Sequence, residues 1–205
     1  MSQGKISPLF YLYDKMLLMK QIIYIIPGFG ESLKDSPYLE LIKYFESKGI
    51  KVVFYQPKWK WNTIERWLKD FNKIIDKNYQ NNSIILAFSL GAYIAVLSTK
   101  FHTFSKLILC SLSPYFSDSI KFIPKIAEKI LGTRRYVAFR KQDFPKDAQT
   151  PAIFLYGSEE KDLFPNSDKK YYDLWKGKKK RIIILDSDHD ISNPNYVREI
   201  KKLLA

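Results

Sequence analysis

Six short apolar runs punctuate the chain, and the apolar positions between them fall at helical spacing. The runs are QIIYIIP (21–27), KVVFYQP (51–57), SIILAF (83–88), KLILCSL (106–112), AIFLYG (152–157) and RIIIL (181–185). They are continuously apolar, where a strand with one wet face would alternate; this is the pattern of strands covered on both faces. After the first run, Ser36 stands as a helix N-cap and Pro37 at the first helical position. Tyr38, Leu41, Ile42 and Phe45 share one face, and Gly49 is the stop. After the second run, Asn62 and Glu65 have capping-box spacing, and Ile64, Trp67, Leu68, Phe71, Ile74 and Ile75 form a helical stripe. A helix follows the third run through about Ser98, and another carries Tyr171, Tyr172, Leu174 and Trp175. The last begins near Asn193-Pro194 and carries Val197, Ile200, Leu203 and Leu204. Strand and helix in strict rotation predict right-handed crossovers and an α/β fold with a mostly parallel, six-stranded, doubly wound sheet. The stretch from about 114 to 150 breaks the rhythm. It is too long for a simple connection and has a helical middle, Ile120 to Leu131, so a helical lid insertion is expected there and not a second domain.

Composition narrows the classes. A chain of 205 residues suits one domain with a real core, and 46% apolar residues exclude a disordered one. Cys110 is the single cysteine, so no internal disulfide can form, and its setting in KLILCSL is that of a small core hydrophobe. With only His102 and His189 there is no Cys/His cluster, and neither a metal nor a cofactor is expected. No apolar run approaches the ~18 residues of a membrane span. Residues 1–20, MSQGKISPLFYLYDKMLLMK, are broken by Asp14 and Lys15 and lack a cleavage site of the A-x-A kind. They are expected to be an N-terminal extension to a domain at 21–205, with translation starting at Met1, Met16 or Met19 and the protein cytoplasmic.

The net charge of +13 is concentrated in two places. Residues 121–141 hold seven lysines and arginines against Glu128, and residues 176–181 read KGKKKR. Solvated lysine is the expected explanation, and an acidic protein, anionic lipid or nucleic acid is the alternative that such patches could bind. Trp59 and Trp61 stand among lysines as stacking residues do, but no nucleic-acid motif accompanies them and nucleic acid is not an expected partner.

Ligands of open parallel sheets bind at the carboxyl ends of the strands. Four of the runs end in chemistry: PGFGES (27–32), Ser89, GSEEKD (157–162) and DSDHD (186–190). A serine hydroxyl is a weak nucleophile until a base takes its proton, and His189 follows the last strand. His102 precedes the fourth strand, at the other edge. Ser89 sits in A-F-S-L-G, where Ala87 and Gly91 are small enough for strand and helix to approach closely. An ordinary N-cap serine would occupy the same place.

From residue 21 to the C-terminus the sequence resembles the α/β-hydrolase family. The resemblance rests on the order serine, acid, histidine at strand ends and on a G-x-S-x-G turn in which Ala87 replaces the first glycine. It implies Ser89 as nucleophile and His189 as base. For the acid, spacing from Gly157 points to Glu160, while residue type and the E-K-D pattern point to Asp162; Asp162 is preferred, Glu160 is the alternative, and Glu159 and Asp118 stand behind them. Pro27-Gly28-Phe29-Gly30 resembles the family's His-Gly-x turn, with Pro27 in place of histidine. It implies oxyanion donors at the Phe29 and Leu90 amides, with Gly28 in the same substrate-binding turn. The implied activity is cleavage of a small carboxylic ester or thioester through an acyl-enzyme, by a monomer or weak dimer. Phe116, Phe122, Ile123, Ile126, Ile130, Leu131, Tyr136, Val137 and Phe139 would line an acyl pocket, and the basic lid would suit an acidic carrier protein. The competing reading is a catalytically retired scaffold that only binds.

Overall fold

Strands β1 (Ile22–Ile26) and β3 (Ile84–Phe88) are buried at every position. Their place in the sheet explains it. The computed structural model describes residues 21–78, 82–120, 128–129, 131–160 and 167–204. In it β1 and β3 stand among β2 (Lys51–Phe54), β4 (Lys106–Cys110), β5 (Ala152–Gly157) and β6 (Lys179–Ile184) in the order β2-β1-β3-β4-β5-β6. Every pairing is parallel. This is the expected doubly wound α/β sheet.

The helices are α1 (Ser36–Ser47), α2 (Ile64–Asn78), α3 (Leu90–Ser98), α4 (Thr133–Phe139), α5 (Ser167–Leu174) and α6 (Pro194–Leu203). Side chains alternate across a strand, so β1 feeds two cores. Ile22, Tyr24 and Ile26 pack with α2 and α3 through Trp67, Phe71 and Tyr93. Ile23 and Ile25 pack with α1 and α6 through Tyr38, Phe45, Tyr196 and Ile200. Helix α3 is buried along its whole length, which its apolar sequence LGAYIAVLS permits.

Local differences have local causes. Helix α1 begins at Ser36 with Asp35 in the N-cap position; the Asp35 carboxylate accepts from the Ser32 amide at 2.7 Å and does not cap the helix. Gly49, at φ +77°, ends it as expected. Asn62 makes no capping box, since its amide donates to the Lys58 carbonyl at 3.2 Å. Asn193 does cap α6, accepting from the Asn195 amide at 3.0 Å.

The segment between β4 and β5 contains α4. Its Phe116, Ile120, Leu131 and Phe139 are buried in the same core as α3, with the Phe116 and Phe139 rings 4.5 and 5.3 Å from that of Tyr93. Arg135 ties α4 to the loop before α2, donating to the Trp59 carbonyl at 2.5 Å and the Asn62 carbonyl at 3.0 Å. These side chains are therefore part of the core. Val137 is exposed and Tyr136 is half-buried. Phe122, Ile123, Ile126 and Ile130 lie outside the described residues, as does the extension at 1–20.

Candidate active site

The turn from β3 into α3 holds Ser89 at φ 52° and ψ −116°. A side chain with a Cβ rarely adopts such a φ, and the strain, of order 1–3 kcal/mol, has to be held by the surroundings. Three contacts hold it. The Ser89 amide donates to the Cys110 carbonyl at 2.8 Å, tying the turn to β4. The Ser89 carbonyl accepts from the Tyr93 amide at 3.2 Å, opening α3. Gly91 lets the helix lie against β1: a Cβ there would stand 2.4 Å from the carbonyl oxygens of Ile26 and Pro27. Ala87, buried, fits without a glycine.

The hydroxyl so presented meets His189, which reaches it from the loop between β6 and α6. The Ser89 Oγ to His189 Nε2 distance is 2.8 Å. The other ring nitrogen, Nδ1, lies 3.0 Å from Glu160 Oε2. Glu160 sits just after β5 and is 7% exposed. Its second oxygen accepts from the Gly157 amide at 2.7 Å, the Ser111 hydroxyl at 2.7 Å and the Tyr196 hydroxyl at 2.6 Å. A carboxylate buried this way needs those donors. Burial, with the Glu160 charge next in importance, pushes the Tyr196 phenol far above its ordinary value, so Tyr196 stays a donor. A carboxylate only accepts, so Nδ1 carries the proton and Nε2 presents its lone pair to the Ser89 hydroxyl. Phe88, 5.2 Å from the imidazole between ring centres, packs behind it.

Phe29 and Leu90 amides make no hydrogen bond among the described residues. Leu90 is the first residue of α3, where an amide has no partner within its helix. The turn carrying Phe29 is locked by Glu31, whose carboxylate folds back to accept from the Gly28 amide at 2.5 Å and from the Tyr38 hydroxyl. Gly28 is thus in the turn as expected, but its amide is spent on Glu31. Burial raises the Glu31 carboxyl above its ordinary value, and the Tyr38 and Gly28 donors oppose the shift. The Phe29 ring meets Trp59 edge-on at 5.5 Å and lies 5.6 Å from the Arg135 guanidinium.

The backbone around this site has counterparts among solved structures. A putative hydrolase from Agrobacterium vitis superposes with a TM-score of 0.76 at 16% identity, over 90% of this chain and 87% of that one. The chain has the α/β-hydrolase fold. Alpha/beta hydrolase domain-containing protein 10 from mouse gives a TM-score of 0.74 at 13% identity, over 89% and 87% of the two chains. A monoacylglycerol lipase from Paleococcus ferrophilus gives 0.66 at 14% identity, over 89% and 91%. No family model matches the sequence, and no curated protein does.

Within this α/β-hydrolase fold the other candidates fall elsewhere. Asp162, the acid preferred on sequence, lies outside the described residues. Glu159 is exposed, and Asp118 pairs with Lys170 at 2.9 Å. His102, after α3, has Asp76 at 3.7 Å. Cys110 is fully buried, and burial pushes its thiol pKa up. Among the described residues no group of His, Cys, Asp or Glu could hold a metal ion, and no helix is long and apolar enough to cross a membrane. Ser111, Ser113, Tyr196 and Glu31 escaped the sequence reading. Ser111 and Ser113 did stand at a strand end, in C-S-L-S-P, and that position was the available signal.

Proposed function

We propose that the protein is a serine hydrolase of carboxylic esters or thioesters, with Ser89 as nucleophile, His189 as general base and acid, and Glu160 as the triad acid. The unbroken chain Ser89–His189–Glu160, at 2.8 and 3.0 Å, carries the reading. The Ser89 proton passes to Nε2 as Oγ attacks the acyl carbon. Glu160 holds the imidazole in the required tautomer and stabilises the imidazolium. The carbonyl oxygen, now negative, is met by the Phe29 and Leu90 amides. His189 returns its proton to the departing alcohol or thiol. Water then repeats the sequence on the acyl-enzyme and frees the acid. The strained φ of Ser89 supports a nucleophile turn over an ordinary helix cap, because an N-cap serine needs no such backbone.

A fluorophosphonate probe tests this directly. The wild type is expected to be labelled on Ser89, and Ser89→Ala is expected to take no label and to lose hydrolysis of a graded ester panel. An unlabelled wild type would return the chain to the binding-scaffold reading.

A further inference from the structure

One buried hydroxyl beside the nucleophile is not used by the triad. Ser113, three residues beyond β4 and 3% exposed, places Oγ 3.2 Å from Ser89 Oγ. Its own amide approaches the Ser89 carbonyl at 3.4 Å. Among the described residues the Ser113 hydroxyl has no hydrogen-bond partner besides Ser89. A buried hydroxyl without a partner is costly, so this contact is the one that satisfies it.

The direction of the bond follows from the rest of the site. Glu160 Oε2 can only accept, so His189 Nδ1 donates to it and Nε2 accepts. Ser89 therefore spends its proton on His189. What remains on Ser89 Oγ toward Ser113 is a lone pair, and Ser113 is the donor.

We infer that Ser113 is a further catalytic residue, donating a hydrogen bond to Ser89 Oγ while that oxygen leaves the acyl group. The inference rests on the serine-hydrolase reading. In deacylation, water adds to the acyl carbon, one water proton goes to His189 Nε2 and the carbonyl pair moves onto the oxygen. The carbonyl then reforms, the carbon–Oγ bond breaks with its pair going to Oγ, and His189 returns the proton to Oγ. Negative charge grows on Oγ during that cleavage, and a hydrogen bond to it strengthens as it grows. Only an interaction stronger in the transition state than before it speeds the step. In acylation the free Ser89 hydroxyl already accepts this hydrogen bond before it attacks, whereas the ester Oγ of the acyl-enzyme is a poor acceptor, so the gain on reaching the transition state is larger in deacylation. Ser113 thus favours release of the acyl group over its capture.

The partition between the two steps is the readout, because a merely structural defect would slow both together. With p-nitrophenyl acetate in a rapid mixer, Ser113→Ala is expected to deacylate about tenfold more slowly while acylation changes less than about threefold. The burst of nitrophenolate should then grow, and the acetylated protein should become visible by mass. Ser113→Cys keeps the branching and chain length with a weaker donor and is expected to show the same partition, so the test stands even if Ser113→Ala does not fold. Equal slowing of both steps in the folded variant, or none, overturns the role of Ser113 while leaving the triad intact. A wild type whose Ser89 takes no fluorophosphonate label overturns the serine-hydrolase reading and this inference with it.

Discussion

Two turns at the carboxyl edge of the sheet use the same device for different ends. The β3–α3 turn presents Ser89 and needs Gly91, where a Cβ would meet backbone oxygens at 2.4 Å. The end of β5 presents Glu160 and needs Gly157, where a Cβ would meet the Ser187 carbonyl oxygen at 2.2 Å. In both, a glycine lets a neighbouring backbone come close enough to bring a reactive side chain to its partner. They differ in where the information lies. The serine turn is specified by consecutive residues, Ala87 to Gly91. The acid turn offers several carboxylates in a row, and distant residues select among them: Ser111 is 49 positions away and Tyr196 is 36. The serine's presentation is encoded locally, while which carboxylate meets His189 is a tertiary decision.

That contrast can be broken most sharply by charge. Glu160→Gln is expected to lower kcat about 10³-fold, since an amide no longer fixes the tautomer of His189. Asp162→Asn is expected to stay within about twofold of wild type; steady-state ester hydrolysis separates the two. A loss confined to Asp162→Asn would move the acid turn two residues along. The shared device comes next. Gly91→Ala and Gly157→Ala are each expected to cost about 3 kcal/mol in urea unfolding, because only backbone can move out of the way. A cost at one site alone would end the parallel. The distant selectors are smaller in effect. Tyr196→Phe removes one donor from a buried carboxylate and is expected to cost about 2 kcal/mol by the same assay. Smallest is the lock on the oxyanion turn. The folded-state pKa of Glu31 is raised, so on raising the pH the unfolded chain releases this proton first. Stability contributed at Glu31 is therefore complete below the ordinary carboxylate range and falls as pH climbs through the raised value. Glu31→Gln lacks this dependence, and its melting temperature relative to wild type should rise between about pH 4 and pH 7.

The parallel, doubly wound sheet was legible because strands covered on both faces must be apolar on both, as β1 and β3 are; the strand order β2-β1-β3-β4-β5-β6 was not. The limits of the elements were less so. β6 begins at Lys179, two residues before the apolar run, because Lys179 and Lys180 pair with Ala152 and Ile153 at the sheet border. Its neighbour draws them into the strand, where hydropathy gives no sign of it. Lys179 further donates to carbonyls of Tyr172, Asp173 and Trp175, a use no periodicity announces. In the site, Ser89 and His189 were nearly forced by order and scarcity. Spacing from Gly157 did name Glu160, but residue type argued for Asp162, and nothing local could weigh the donors that gather on Glu160. Ser113 had its place after a strand as a signal, but its partner is 24 residues away, across a strand pairing, and nothing local pairs the two.

The histidine and serine are 100 positions apart, and the imidazole arrives from a loop that follows the last strand. Contacts so distant in sequence form late and slowly when a chain folds. On the proposed function, Ser89 meets its base only after β6 has docked and its loop has closed over Gly157. Recovery of phosphonate labelling during refolding from urea would therefore time the completion of the fold, and should lag behind the return of helical signal.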